Sequence, residues 1–174
     1  MTLEALRDRL PDFAKDIRLN LSSVLKEDPS SGLTRKQIYG VALASAYATK
    51  HKDVALAVEM DAATILSPEE VQAARSAATI MAMNNIYYRF THLAQDAELS
   101  KLPVGLRMNV IGNPGIPKVD FELYSLAVSA INGCGLCIEA HTKTVEHGGI
   151  SKQGIQHAVK IAAVLNATAQ ALLI

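Results

Sequence analysis

Two cysteines and one histidine carry the chemistry that this sequence could perform. Cys134 and Cys137 are the only cysteines of the chain, three positions apart, and His141 follows the second by four. A carboxylate, Glu122, stands twelve residues before Cys134. On a helix turning about 100° per residue, Cys134, Cys137 and His141 share an arc of roughly 60°. Cysteines at i and i+3 can close a disulfide in the first turn of a helix, and a thiol and an imidazole at i and i+4 are neighbours on its surface. A helix N-terminus favours the thiolate at Cys134, while His141 can hold or withdraw the proton of Cys137. The pattern predicts a redox-active dithiol with a base beside it.

The elements that must position these groups are helices. Asn132-Gly133 is a stop and turn signal, so Cys134 is expected to open a new helix that runs to a glycine cap at His147-Gly148-Gly149. The preceding helix, residues 118–131, carries Glu122. Upstream, Thr2 caps a short helix through Leu10, and Pro11 starts a second over 12–25. Thr34 caps a helix to about residue 50, and a shorter one follows over 53–63. Ser67-Pro68-Glu69-Glu70 is a strong helix start, with Ser as cap, Pro in the first turn and two acids against the dipole. That helix is expected to turn Val71, Ala74, Ala78 and Met81 inward. A separate helix is predicted over 84–95, with Tyr87, Tyr88 and Phe90 as packing or an oligomer seam. Residues 96–117 are weakly patterned, and a last helix spans about 151–171.

The chain also echoes itself. At a shift of 84 positions Ser45-Ala46 meets Ser129-Ala130, Leu66-Ser67 meets Ile150-Ser151, and Gln72, Ala74 and Ala78 meet Gln156, Ala158 and Ala162. The expectation is one all-helical domain of two related halves, about 1–95 and about 96–174. Lys50, Asp53, Ala57 and Ile38 then occupy the places of Cys134, Cys137, His141 and Glu122. The first half reads as scaffold and the second as the chemically equipped one. Arg18 and Arg107, each with an asparagine two residues on, are expected to hold turns or helix ends.

Composition narrows the class. Seventeen basic residues balance seventeen acidic ones, so no net field recruits nucleic acid or an anionic membrane. Tryptophan is absent and aromatics are sparse, which leaves no stacking platform for bases. No apolar run reaches membrane-spanning length, and a cytoplasmic location is expected. In a reducing compartment a lone CxxC is more often catalytic or metal-binding than a permanent staple.

Blander readings stand beside the redox one. Two small thiols can pack as hydrophobes, and Cys134, Cys137 and His141 with Glu122 would make four zinc ligands. Asp120 and Glu122 can serve simply as first-turn acids. Yet sixteen uncharged residues follow Glu122, so the carboxylate leads into a buried segment where it could exchange protons. His147 suits a helix C-terminus, and His51, His92 and His157 default to structure or surface.

At these residues the sequence resembles the alkyl hydroperoxidase D family of the carboxymuconolactone decarboxylase-like superfamily. That family's pattern is Glu, eleven residues, Cys-x-x-Cys, three residues, His, met here by Glu122, Cys134, Cys137 and His141. The stretches Met83-Asn-Asn-Ile-Tyr-Tyr-Arg89 and Leu106-Arg-Met-Asn-Val-Ile-Gly-Asn-Pro-Gly-Ile-Pro117 also look like family signatures. The resemblance implies an all-helical, duplicated protomer forming a homotrimer, with no cofactor or metal. It implies a peroxidase for organic hydroperoxides that works with an alkyl hydroperoxide reductase of the peroxiredoxin type and a dithiol donor such as a lipoylated protein. In that role Cys137 is peroxidatic, Cys134 resolving, His141 the general base and acid, and Glu122 its proton relay. The donor dithiol is expected to attack Cys134 as the more exposed sulfur. Well-known members carry a second histidine just before the second cysteine; here that position is Leu136. This departure favours an alternative role as an adaptor that reduces the peroxiredoxin with little direct peroxidase activity. The superfamily's namesake lactone decarboxylation is a third reading, against which the CxxC argues.

Overall fold

The computed structural model describes all residues, 1–174. Nine α-helices and two short 3-10 turns make up the chain, with no strand, which is the all-α class expected. The helices are α1 (Leu3–Arg7), α2 (Lys15–Val24), α3 (Arg35–Ala48), α4 (Lys52–Ala62), α5 (Pro68–Ala94), α6 (Asn109–Gly112), α7 (Lys118–Asn132), α8 (Gly135–His147) and α9 (Lys152–Leu173).

The predicted caps form. Thr2 Oγ accepts from the Ala5 amide at 3.3 Å. Thr34 and Ser67 each close a reciprocal capping box, with Gln37 and Glu70 respectively. Each such box satisfies two backbone donors that a helix start otherwise leaves open. Helix α1 stops at Arg7 rather than Leu10, and α2 starts at Lys15 after a 3-10 turn over Asp12–Ala14; a larger difference lies further on. Residues 84–95 are not a separate helix: α5 runs unbroken for 27 residues through Asn84 and Asn85. Asparagine favours turns because its amide competes for the local backbone. Here Asn85 spends its amide on Ser129 and Asn132 of α7 instead, and no glycine or proline interrupts the ladder. Along α5, Ala74, Ala78 and Met81 are buried as expected, whereas Val71 is only partly so.

Helix α7 is the hub, packed against α3, α5, α8 and α9. Every residue from Phe121 to Ser129 is buried, the polar Glu122, Ser125 and Ser129 among them, so the helix is enclosed on all faces rather than amphipathic. The α3–α7 approach depends on Gly40, where an added Cβ would lie 2.1 Å from the Tyr124 hydroxyl. One cluster of 35 buried apolar residues runs from Leu3 to Ala171 and draws on both halves. The starts of α7, α8 and α9 fall 83, 83 and 84 residues after those of α3, α4 and α5.

A polar clasp joins α3, α4 and α5. The Tyr47 hydroxyl donates to Glu59, and Arg75 Nη2 meets the same carboxylate at 2.7 Å. The Tyr47 hydrogen bond, then Arg75, hold Glu59 below the usual carboxylate range. Burial and the Glu59 acceptor push the Tyr47 phenol up to about 12. A phenol raised in the folded state contributes stability that is whole below its unfolded value of 10.0 and drains away as pH climbs toward 12. Denaturant titrations between about pH 9 and 12 are expected to show this alkaline loss. Tyr47→Phe should flatten it but not abolish it, because burial also raises the Tyr124 phenol.

Candidate active site

The turn between α7 and α8 sets the site. Gly133 closes α7 with φ 68°, a left-handed conformation that suits glycine. The Cys134 amide then reaches back to the Ser129 carbonyl at 3.2 Å. Cys134 is therefore the N-cap of α8 rather than its first residue, and its sulfur accepts from the Cys137 amide at 3.3 Å. Cys134 and Cys137 are joined as a disulfide with Cα atoms 5.3 Å apart.

Side-chain hydrogen bonds hold this turn from α5. Arg89 Nη1 donates to the Asn132 carbonyl at 2.7 Å, and Asn132 Nδ2 donates to Asn85 Oδ1 at 2.9 Å. Asn85 Nδ2 in turn donates to Ser129 Oγ at 2.9 Å. Sequence reading found the Asn84-Asn85 and Arg89 segment as a family signature and gave it no task. Two adjacent buried asparagines in mid-helix are the signal that could have flagged one.

Glu122 projects from the second turn of α7 and His141 from the middle of α8. His141 Nδ1 lies 2.6 Å from Glu122 Oε2. Both side chains are largely buried, at 13% and 7% exposure, so the carboxylate is not a solvated first-turn acid. The other face of the ring, Nε2, lies 3.3 Å from the Met81 sulfur on α5. A thioether offers only lone pairs, so this contact is a hydrogen bond only when Nε2 carries the hydrogen, and beside it the ring borders open space.

That space is a cavity of roughly 240 Å³ lined by Met81, Asn84, Tyr88, Leu136, Cys137 and His141. The second cysteine and the imidazole thus share one chamber, but no hydrogen bond joins His141 to either sulfur while the disulfide is closed. Cys134 is fully buried and Cys137 keeps 7% exposure. The expectation that Cys134 is the more exposed sulfur is therefore wrong. Its place at the cap, beneath the α7 turn, shuts it in, whereas Cys137 faces the cavity. Cys137 lines the cavity rather than being sealed in hydrocarbon, as the plain-hydrophobe reading requires of both thiols. No group of three or more metal-ligating side chains stands together, which leaves the zinc reading without a ligand set.

The other histidines sit where structure needs them. His147 Nδ1 contacts the Lys143 carbonyl at 2.7 Å in the last turn of α8, and His157 Nε2 contacts the Val24 carbonyl at 2.8 Å. Arg18 bonds the Leu10 carbonyl as expected of a turn-holding arginine, but Arg107 is exposed and makes no such bond. A larger cleft, about 600 Å³, opens across α5 beside Arg75, Arg89 and Asn132. It holds neither a thiol nor an acid–base pair, so the chemistry belongs to the smaller cavity.

The bonding around the α7–α8 turn makes a prediction. Asn85→Ala leaves the buried Ser129 hydroxyl and the Asn132 amide without their partner, at a cost of about 1–3 kcal/mol. Hydrogen exchange should speed selectively at the Gly133 and Cys134 amides, while amides in α9 slow or quicken only with global stability.

Known proteins share this arrangement of sequence. Residues 97–173 match the model of the Carboxymuconolactone decarboxylase family, a span that holds Glu122, both cysteines and His141. An alkyl hydroperoxide reductase AhpD from Coxiella burnetii (strain RSA 493 / Nine Mile phase I) is 58% identical over 99% of this chain and 97% of its own. AhpD proteins of Rhodospirillum centenum (55%, over 99% of this chain and 91% of the relative) and Methylocella silvestris (51%, over 99% and 95%) match as fully. With identity this high over nearly the whole length, and with the family domain laid over the CxxC half, the chain belongs to the AhpD family.

Proposed function

We propose that the protein is a dithiol-dependent alkyl hydroperoxide reductase working through the Cys134–Cys137 pair. One observation carries this reading: a buried Glu122–His141 pair opens onto the same cavity as Cys137, the less buried of two cysteines already paired as a disulfide. The names of the AhpD relatives agree with this reading.

In the reduced protein His141, oriented by Glu122, takes the proton of Cys137. The thiolate attacks the terminal oxygen of ROOH; the O–O bond breaks and its electron pair leaves on the alkoxide. His141 returns the proton to that alkoxide, releasing ROH and leaving Cys137 as a sulfenic acid. The Cys134 thiol displaces the sulfenic hydroxyl as water, which forms the disulfide. A donor dithiol, such as a lipoylated protein, then attacks the disulfide. The burial of Cys134 directs that attack to Cys137, a change from the sequence expectation. The leaving Cys134 thiolate stays at the N-cap, where the Cys137 amide and the helix dipole favour its charge. The same exchange chemistry lets the dithiol reduce a peroxiredoxin partner.

The protein acts in the cytoplasm, where dithiol donors are kept reduced; no helix is long and apolar enough to cross a membrane. It assembles as a homotrimer through α5. Ile86, Phe90 and Leu93 stand 65%, 55% and 68% exposed, and at about 100° per residue they form a stripe roughly opposite Met81, Asn84 and Tyr88. Such a seam would leave the cavity open. The parallel order of α3–α5 and α7–α9 supports descent of the two halves from one unit, the first kept as scaffold.

The adaptor reading rests on Leu136, which supplies no second imidazole to the cavity. Peroxide consumption with a dithiol alone, and again with the peroxiredoxin added, separates the two. The peroxidase account expects turnover without the partner; turnover only with it makes the protein an adaptor. Cys137→Ser should abolish the single-turnover reaction with cumene hydroperoxide, while Cys134→Ser should still consume one equivalent. The reverse pattern would exchange the two sulfur roles.

A further inference from the structure

The reaction cavity does not end at Leu136. Leu136 and Tyr88 line the chamber that holds Cys137, and the same two side chains line a neighbouring groove of roughly 300 Å³ with Leu102 and Val104. Leu136 is 39% exposed and Leu102 59%, so the walls are apolar and open. The lining of the groove also carries polar groups, at Thr91, His92 and Ser100. At the inner end lies Asn84, 4% exposed, whose buried Oδ1 has no hydrogen-bond partner. A buried amide without a partner is costly unless something completes it. Asn84 is the one neutral amide facing the cavity beside Cys137 and His141.

We propose that cavity and groove form one binding site for an organic hydroperoxide with a long hydrocarbon tail, of the fatty-acyl class. The Asn84 amide binds the peroxide group, its unpartnered Oδ1 accepting from the hydroperoxide O–H. The hydrocarbon lies over Leu136 and Tyr88 and between Leu102 and Val104, and the tail's polar terminus reaches the polar groups at Thr91, His92 and Ser100. A histidine at position 136 would interrupt that apolar path; leucine makes it continuous. The substitution thus exchanges a proton-carrying group for a tail contact, and Asn84 supplies a hydrogen bond to the peroxide group that the missing imidazole cannot. This assignment rests on the peroxidase reading for its chemistry but not for its binding.

The test compares kcat/KM for linoleic acid hydroperoxide and tert-butyl hydroperoxide in the full-length protein with a dithiol donor. The long-tailed substrate should be favoured by about tenfold or more, as burial of a few methylenes allows. Leu136→Ala and Val104→Asp should each shrink that ratio, and Asn84→Leu should lower kcat/KM for both substrates. Equal use of the two substrates by the native protein, or a ratio untouched by either groove substitution, would overturn the assignment. If no hydroperoxide is reduced at all, the peroxidase reading fails and binding decides alone. Methyl NMR of the disulfide form with the hydroxy fatty acid product should then shift Leu136, Leu102 and Val104. Shifts confined to Ile86 and Leu93 on the far face, or none, would refute the groove.

Discussion

The hydrogen bond that His141 Nδ1–H donates to the Glu122 carboxylate, 2.6 Å long and largely out of water, is the constraint on which the site depends. Unpaired, either polar group would pay about 1–3 kcal/mol in that surrounding. Paired, they tie α7 to α8 and fix the imidazole so that its second nitrogen faces the chamber. Everything that locates α7 therefore locates the base: its burial on all sides, the close pass of Tyr124 over Gly40, and the asparagine and arginine bonds from α5. The geometry of the site is a by-product of packing the central helix.

The same helix determines which sulfur is available. Gly133 turns the chain through a left-handed conformation, and the Cys134 amide bonds back to Ser129. That places Cys134 beneath the turn and Cys137 one helical turn further out, against the cavity. Helix-dipole arguments alone favour Cys134 as the reactive thiolate, yet access points to Cys137. In the proposed mechanism the dipole's contribution then falls on the leaving-group side of thiol exchange rather than on the attacking side.

Much of this was legible in the residues. Caps at Thr2, Thr34 and Ser67 and the stop at Asn132-Gly133 are local signals, and the structure realises each one. The spacing of Glu122, Cys134, Cys137 and His141 was legible too, because two adjoining helices bring them together at short range. What sequence could not show depended on partners distant in the chain. The continuity of α5 through Asn84 and Asn85 requires Ser129 and Asn132, more than forty residues away. The contact of Met81 with His141 likewise comes from α5 packing against α8. Local pattern proposes a break at paired asparagines; only the tertiary neighbour explains why there is none.

The most direct test is the order in which the two thiols react in the fully reduced protein. Limiting iodoacetamide, followed by peptide mass mapping over a pH series, reads each cysteine separately. The account predicts that Cys137 is alkylated well before Cys134, and that Glu122→Gln slows Cys137 while leaving Cys134 little changed. Alkylation of Cys134 first, or of both at one rate regardless of Glu122, would contradict it.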